Sequence, residues 1–254
     1  VMLLQPIKGD VVVGWYDTAY KFINGLNFIP ATFTFALFPL LSQYAASARD
    51  TLFRSYCLAL KYLLIMSFPI AMGTVLLAED IILFFGGPLY LPHSANALQV
   101  LILFLPLSFV NGVTQYVLIA LDEQRFITFS FLVAVPFNIV ANLALIPLYS
   151  YYGAAVVTIL SEVVLLALFT RCVRRHLPPV PLLRLATRPA AAALAMGALV
   201  WLLGDTNPLL VIPIAAVAYA LALLALGVFD DEDRLVLRQL LGKRVAGGPQ
   251  RARI

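Results

Sequence analysis

The chain has 254 residues, 62% of them apolar and 12% charged, with a net charge of +4 and a mean hydropathy of +0.95. Soluble domains are about half apolar and about a quarter charged, so this composition excludes an ordinary water-soluble enzyme and points to many membrane spans. Two cysteines, Cys57 and Cys172, and two histidines, His93 and His176, are read as forming neither a disulfide framework nor a ligand cluster, so no metal, haem or other cofactor is expected.

The opening, VMLLQPIKGD, is apolar from Val1 and shows no basic n-region or small-residue cleavage site. Residues 1–9 are expected to end a transmembrane helix whose beginning lies in a missing upstream part of the protein. Seven long apolar segments follow, at 12–44, 55–78, 94–120, 126–147, 154–173, 188–204 and 208–229. A helix crosses the hydrocarbon with about 20 residues, so the first two have length to spare for tilt or projection. Beyond them, DDEDRLVLRQLLGKR reads as a short amphipathic helix with acids first and bases last, as the helix dipole prefers. VAGGPQRARI reads as a disordered basic tail. The expected organisation is a five-helix bundle at 10–176, two additional spans at 177–229 and a cytoplasmic appendage at 230–254.

Placement of the basic residues tests this segmentation independently. Arg49 and Arg54 separate the first two segments, and Arg125 separates the third and fourth. Arg171, Arg174, Arg175, Arg184 and Arg188 separate the fifth and sixth, and the remaining six follow the seventh. Fourteen of the seventeen Lys and Arg thus fall in alternate connections, while the connections around 79–93, 148–153 and 205–207 hold none. Cytoplasmic enrichment of Lys and Arg produces such alternation. It predicts a multi-pass protein of the cytoplasmic (inner) membrane with its C-terminus inside.

Pro30, Pro39, Pro69, Pro106, Pro136 and Pro213 lie within apolar segments. Each is expected to remove a backbone hydrogen bond and invite a kink, and in a membrane the freed carbonyl needs another partner. Prolines alone leave two readings open, ordinary tolerance or broken helices around a cavity that changes shape. Asn24, Asn27, Asn111, Gln115, Asn138 and Asn142 recur inside the same segments and favour a wet interior.

The stretch VGWYDTAYKFINGLNFIPATFTFALFPLLSQ resembles a signature segment of polysaccharide and lipid-linked oligosaccharide flippases in the multidrug/oligosaccharidyl-lipid/polysaccharide exporter superfamily. The likeness continues through LKYLLIMSFPIAMGTVLLAEDIILFFGG, ALQVLILFLPLSFVNGVTQYVLIAL and NLALIPLYSYYGAAVVTILSEVVLLAL, about residues 10–176. It implies an all-α integral membrane protein of about seven transmembrane helices, forming the C-terminal lobe of a two-lobe alternating-access transporter. Its implied partners are a polyprenyl-pyrophosphate-linked glycan, membrane lipids, the missing N-terminal lobe and other polysaccharide-assembly proteins, with no nucleic acid. A pyrophosphate in such a cavity needs buried cations, a polar path for the headgroup and an opening to lipid.

Two groups of residues are candidates on this footing. For the substrate they are Lys21, Asp17, Asn24 and Lys61; Lys21 and Lys61 match basic family positions on the first two helices of that lobe. The family has arginine where Lys21 stands, and lysine keeps the charge without the bidentate fork. Asp17 precedes Lys21 by one helical turn and can neutralise it locally. Lys61 reads equally as a base snorkelling to the interface. For ion coupling the candidates are Asn138, Asn142, Thr158 and Glu162. Sodium-coupled relatives pair an Asn and an Asp four residues apart with a threonine on the next helix, and oxygen donors suit a hard cation. Asn142 stands at the acidic position, which weighs against sodium, and Glu162 is the carboxylate available for a proton instead. The same asparagines also read as packing glue.

The nearest rival is a drug/cation antiporter of the same superfamily, which cavity bases disfavour. A membrane glycosyltransferase or polymerase is the second. It would need a surface loop bearing carboxylates for acid/base or metal work. The connections opposite the arginine-rich side carry only Glu79, Asp80 and Asp205, with Glu79 and Asp80 reading as a helix-end feature, so no enzyme activity is expected.

Overall fold

A computed structural model describes residues 3–204 and 208–229. The expected amphipathic helix and basic tail at 230–254, and Asp205, lie outside the described residues. All regular structure within them is helical: α1 (Leu4–Lys8), α2 (Asp10–Leu26), α3 (Phe28–Ser47), α4 (Arg49–Leu76), α5 (Ala78–Phe85), α6 (His93–Leu101), α7 (Leu105–Ala120), α8 (Gln124–Val173), α9 (Leu182–Leu203) and α10 (Pro208–Ala225).

Five helical stretches among these residues are long and apolar enough to cross a membrane: 10–47, 49–76, 93–120, 124–173 and 182–203. The first joins α2 to α3 at Asn27, whose near-helical backbone (φ −66°, ψ −12°) keeps the hydrogen bonds running, from Asn27 N–H to Ile23 O and from Ala31 N–H to Asn27 O. At 1.5 Å per residue its 38 residues reach about 57 Å, well beyond the roughly 30 Å of hydrocarbon.

The expected spans at 126–147 and 154–173 are the two arms of α8, which folds back on itself at Ser150 (φ 53°, ψ −135°). Asn138 reaches Ser161 across the arms at 2.8 Å, and the Phe131 and Phe169 rings lie 6.2 Å apart, so the arms run antiparallel. Gly153 makes this closure feasible, because a Cβ there would meet Leu145 O at 2.6 Å.

Three boundaries differ from expectation. The bare connection at 79–93 contains α5 and a 3-10 turn at Pro88–Tyr90; Glu79 and Asp80 fill the first turn of α5, where the helix dipole favours acids. The single segment at 94–120 is divided by a 3-10 turn at Ile102–Phe104. α9 starts at Leu182, immediately after Pro178, Pro179 and Pro181 stop regular structure, and not at 188. Arg184 and Arg188 therefore ride on its first two turns and do not belong to the loop.

The prolines also separate into two kinds. Pro106 and Pro30 sit in the first turns of α7 and α3, just past the interruptions of regular α-helix at 102–104 and Asn27. Pro39, Pro69, Pro136 and Pro213 lie inside helices, joined by Pro147 and Pro189. At Pro69 the carbonyl freed one turn earlier, Ile65 O, accepts a 2.8 Å hydrogen bond from the Tyr219 hydroxyl of α10.

One large buried core unites α2, α4, α6, α7 and α8. A second, smaller one joins α9 and α10 through Ala192, Ala193, Met196, Tyr219 and Leu223. Small residues let α9 approach α4: a Cβ on Gly197 would meet Met72 Sδ at 2.8 Å. Arg49 bonds His176 O and Arg175 lies over Phe126, which gathers the α3–α4, α7–α8 and α8–α9 junctions at one end of the bundle. The α8 reversal lies at the other end, where Tyr151 and Trp15 pack around His93.

Candidate functional site

The sequence-predicted residues fall into three places. The first is the outer face of α2. Asp17 and Lys21 form an ion pair at 2.9 Å, with side chains 39% and 75% exposed, so Lys21 points away from this bundle's core. The spacing places Asn24 one turn further along the same exposed face. Lys21 lines an open groove of about 600 Å³ between α2 and α5, with Thr18, Phe22, Phe85 and Tyr90. Gly86 permits that contact, since a Cβ on it would meet the Thr18 methyl at 3.0 Å.

Lys61 is not part of that groove. It is 7% exposed on α4 and lines a separate cleft of about 350 Å³ against α9, beside Arg184, Arg188 and Pro181. Arg188 Nη1 donates to Gly227 O at 2.7 Å. The two lysines grouped in one cavity by sequence thus line different ones. The signal for Lys61's neighbours is the i, i+4 spacing of Arg184 and Arg188, legible only once those residues are placed on a helix.

The four ion-coupling candidates do come together. Asn138, Asn142, Thr158 and Glu162 line one cavity of about 560 Å³ between α2 and the two arms of α8. Asn142 Nδ2 donates to Asn138 Oδ1 at 2.9 Å, and Asn138 Nδ2 donates to Ser161 Oγ at 2.8 Å. Thr158 Oγ1 donates to Ala154 O at 3.0 Å and shares a 3.2 Å hydrogen bond with the Tyr16 hydroxyl. From α7, Asn111 Nδ2 donates to Glu162 Oε2 at 2.7 Å, while Asn111 Oδ1 is buried without a partner among the described residues. Tyr16, Tyr20 and Ser161 also line this cavity and escaped sequence reasoning. Tyr16 and Tyr20 stand one turn apart on α2, and Ser161 carried no signal beyond its spacing from Thr158.

One expectation is overturned. Cys172 and His176, read as forming no ligand cluster, meet Glu123, and the donor atoms of the three lie within 4.8 Å of one another. Chain separation hid this, because Glu123 arrives from the α7–α8 turn, 49 residues before Cys172.

The long apolar helices, their proline breaks and their polar cavities define a multi-pass helical membrane protein. Residues 1–144 match the MatE family, which covers more than half of the chain, and the chain belongs to that family. Among solved structures it is similar to a lipid II flippase, MurJ, in an inward closed conformation, with a TM-score of 0.69 at 17% identity. That likeness covers 83% of this chain and 46% of the flippase, so the chain spans less than half of the flippase's length. No curated protein matches the chain.

Proposed function

We propose that this chain is the C-terminal lobe of a flippase that moves a polyprenyl-pyrophosphate-linked oligosaccharide across the cytoplasmic membrane by alternating access. The observation that carries the proposal is the exposed polar face of α2, where Asp17, Lys21 and Asn24 stand uncovered within a 38-residue stretch apolar enough to cross a membrane. An ion pair is too costly to hold against lipid without a function or a covering partner, and a second lobe facing it would turn the face into a cavity wall. Lys21 then meets the pyrophosphate, and Asp17 holds the ammonium in place until the substrate arrives. Seven crossings result when both arms of α8 and the shorter α10 are counted. The arginine-rich end of the bundle is the cytoplasmic one, by the positive-inside rule.

In this reading the polar cavity supplies the coupling ion. Among the described residues, the donors around Asn138, Asn142 and Thr158 include no carboxylate beyond Glu162, which favours a proton carried by Glu162 over a bound sodium ion. Asn111 suits that role, because an amide can donate to a carboxylate or, turned over, accept from the carboxylic acid. The test uses the full-length protein in proteoliposomes with a labelled lipid-linked glycan. A charge-assisted hydrogen bond contributes about 1.5–3 kcal/mol, so Lys21→Ala should slow translocation by roughly tenfold to a hundredfold while Lys21→Arg restores it. Unchanged translocation in Lys21→Ala would remove Lys21 from the substrate path.

A second reading rests on the same cavity. A carboxylate, Glu162, beside two aromatic faces, Tyr16 and Tyr20, is also the chemistry that holds an organic cation, as a drug/cation antiporter of the same superfamily requires. Protein-dependent uptake of ethidium in those vesicles, with no movement of the glycan, would favour it.

A further inference from the structure

Three donor atoms that the transport reading leaves unused converge where the two arms of α8 begin and end. Cys172 lies in the last turn of α8. Backbone bonds from Arg174 N–H to Thr170 O (3.1 Å) and from Leu177 N–H to Val173 O (2.9 Å) extend that turn past His176. Cys172 and His176 therefore stand one turn apart on the same side. Glu123 arrives from the α7–α8 turn. There Asp122 adopts the left-handed φ of 62° that Asp tolerates, and Glu123 N–H returns to Leu118 O at 2.9 Å. His176 Nε2 and Glu123 Oε1 are 2.7 Å apart, and the Cys172 sulfur completes a trio within 4.8 Å.

The geometry points to a binding site for a zinc-class divalent cation formed by Glu123, Cys172 and His176. Zinc takes nitrogen at about 2.0–2.1 Å, oxygen at about 2.0–2.2 Å and sulfur at about 2.3 Å, so tetrahedral neighbours sit roughly 3.3–3.6 Å apart. The Glu123–His176 pair, at 2.7 Å, lies just inside that separation, so seating an ion needs that pair to open by about 0.6 Å and the Cys172 sulfur to close in from within 4.8 Å. Thiolate, imidazole and carboxylate together are a zinc donor set; calcium and magnesium take oxygen alone.

On binding, the Cys172 Sγ–H bond breaks, its proton leaves to water and its electron pair goes to the metal. The proton held between His176 Nε2 and Glu123 Oε1 must also leave. An imidazolium releases it to water, a neutral ring exchanges it through water onto Nδ1, and Nε2 then presents its lone pair. Thiolate and carboxylate balance the two positive charges. The nearby cations are engaged elsewhere: Arg175 lies 5.3 Å over the Phe126 ring, and Arg49 Nη1 reaches His176 O at 3.5 Å. The side chains of His176 and Glu123 are 25% and 26% exposed, which gives the ion a way in and leaves room for water as the fourth ligand. A bound ion ties the start of one α8 arm to the end of the other, and so pins the hairpin at its open end whatever substrate is carried.

The test titrates the full-length protein, purified and stripped of metal, with Co²⁺ as a spectroscopic probe. The expected result is stoichiometric uptake with a thiolate-to-cobalt charge-transfer band that Zn²⁺ abolishes by displacement. The band should vanish in Cys172→Ser and persist in Cys57→Ser. Since even outer partners of metal ligands contribute about 10–100-fold to affinity, His176→Gln should weaken binding by at least about tenfold. A wild-type protein without the band, or a band that survives Cys172→Ser, overturns the site. If Cys172→Ser fails to fold, the wild-type spectrum and the His176→Gln titration still decide.

Discussion

Tyr219 accounts for a proline in the middle of a buried helix. Pro69 has no N–H to give Ile65 O, and the Tyr219 hydroxyl supplies the hydrogen bond from a neighbouring helix instead. Leaving a buried carbonyl unsatisfied costs about 1–3 kcal/mol, so Tyr219→Phe should lower stability by about that amount. In a Pro69→Ala background the helix provides its own donor, and the loss should shrink to a few tenths of a kcal/mol, measured as coupling in a double-mutant cycle. Equal losses in both backgrounds would show that Tyr219 acts through packing alone. At this scale the sequence was legible where polar residues interrupt apolar segments: Asn138, Asn142, Thr158 and Glu162, grouped through the family resemblance, line one cavity. It was not legible where a residue's meaning depends on a partner remote in the chain. Tyr16 bonds Thr158 across 142 positions, and Lys61 meets Arg184 and Arg188 only because α4 packs against α9.

α8 shows what decides the geometry of an element. Its 50 residues divide in the sequence into apolar segments 126–147 and 154–173; the chain reverses between them at Ser150, and Gly153 is the residue that makes the reversal close. A side chain at 153 would collide with backbone, which cannot yield as a side chain does. Gly153→Val should therefore destabilise the protein by several times the roughly 1 kcal/mol typical of point substitutions, and it should break the Asn138–Ser161 contact. Thermal denaturation in detergent checks this, and a melting temperature like that of the unaltered protein would contradict it. Apolar length marked the stretches that the five long helices occupy, since length and apolarity are what a span requires. It missed α5 and the 3-10 turn at 102–104, which depend on local breaks at Leu77 and after Leu101. The early start of α9 was missed for another reason: its first turns carry two arginines, and charge in a membrane protein reads as loop.

At the scale of the molecule, two ends and one uncovered face organise the chain. One end gathers the arginine-bearing junctions and the Glu123–His176 pair; the other gathers α5, the α8 reversal and the aromatic packing around His93. Between them α2 holds Asp17, Lys21 and Asn24 outward, away from the chain's own core. MatE family membership and the flippase-like fold fit such a face, on which Lys21 is the proposed contact for the substrate's pyrophosphate. The most direct test is translocation itself, with the full-length protein reconstituted in vesicles that hold a fluorescent polyprenyl-pyrophosphate glycan. Accessibility of the label to a membrane-impermeant quencher is followed over time. The account predicts that the protected pool of label becomes quenchable when the protein is present and stays protected in empty vesicles. Label that stays protected in both, from protein that is folded and correctly inserted, would contradict it.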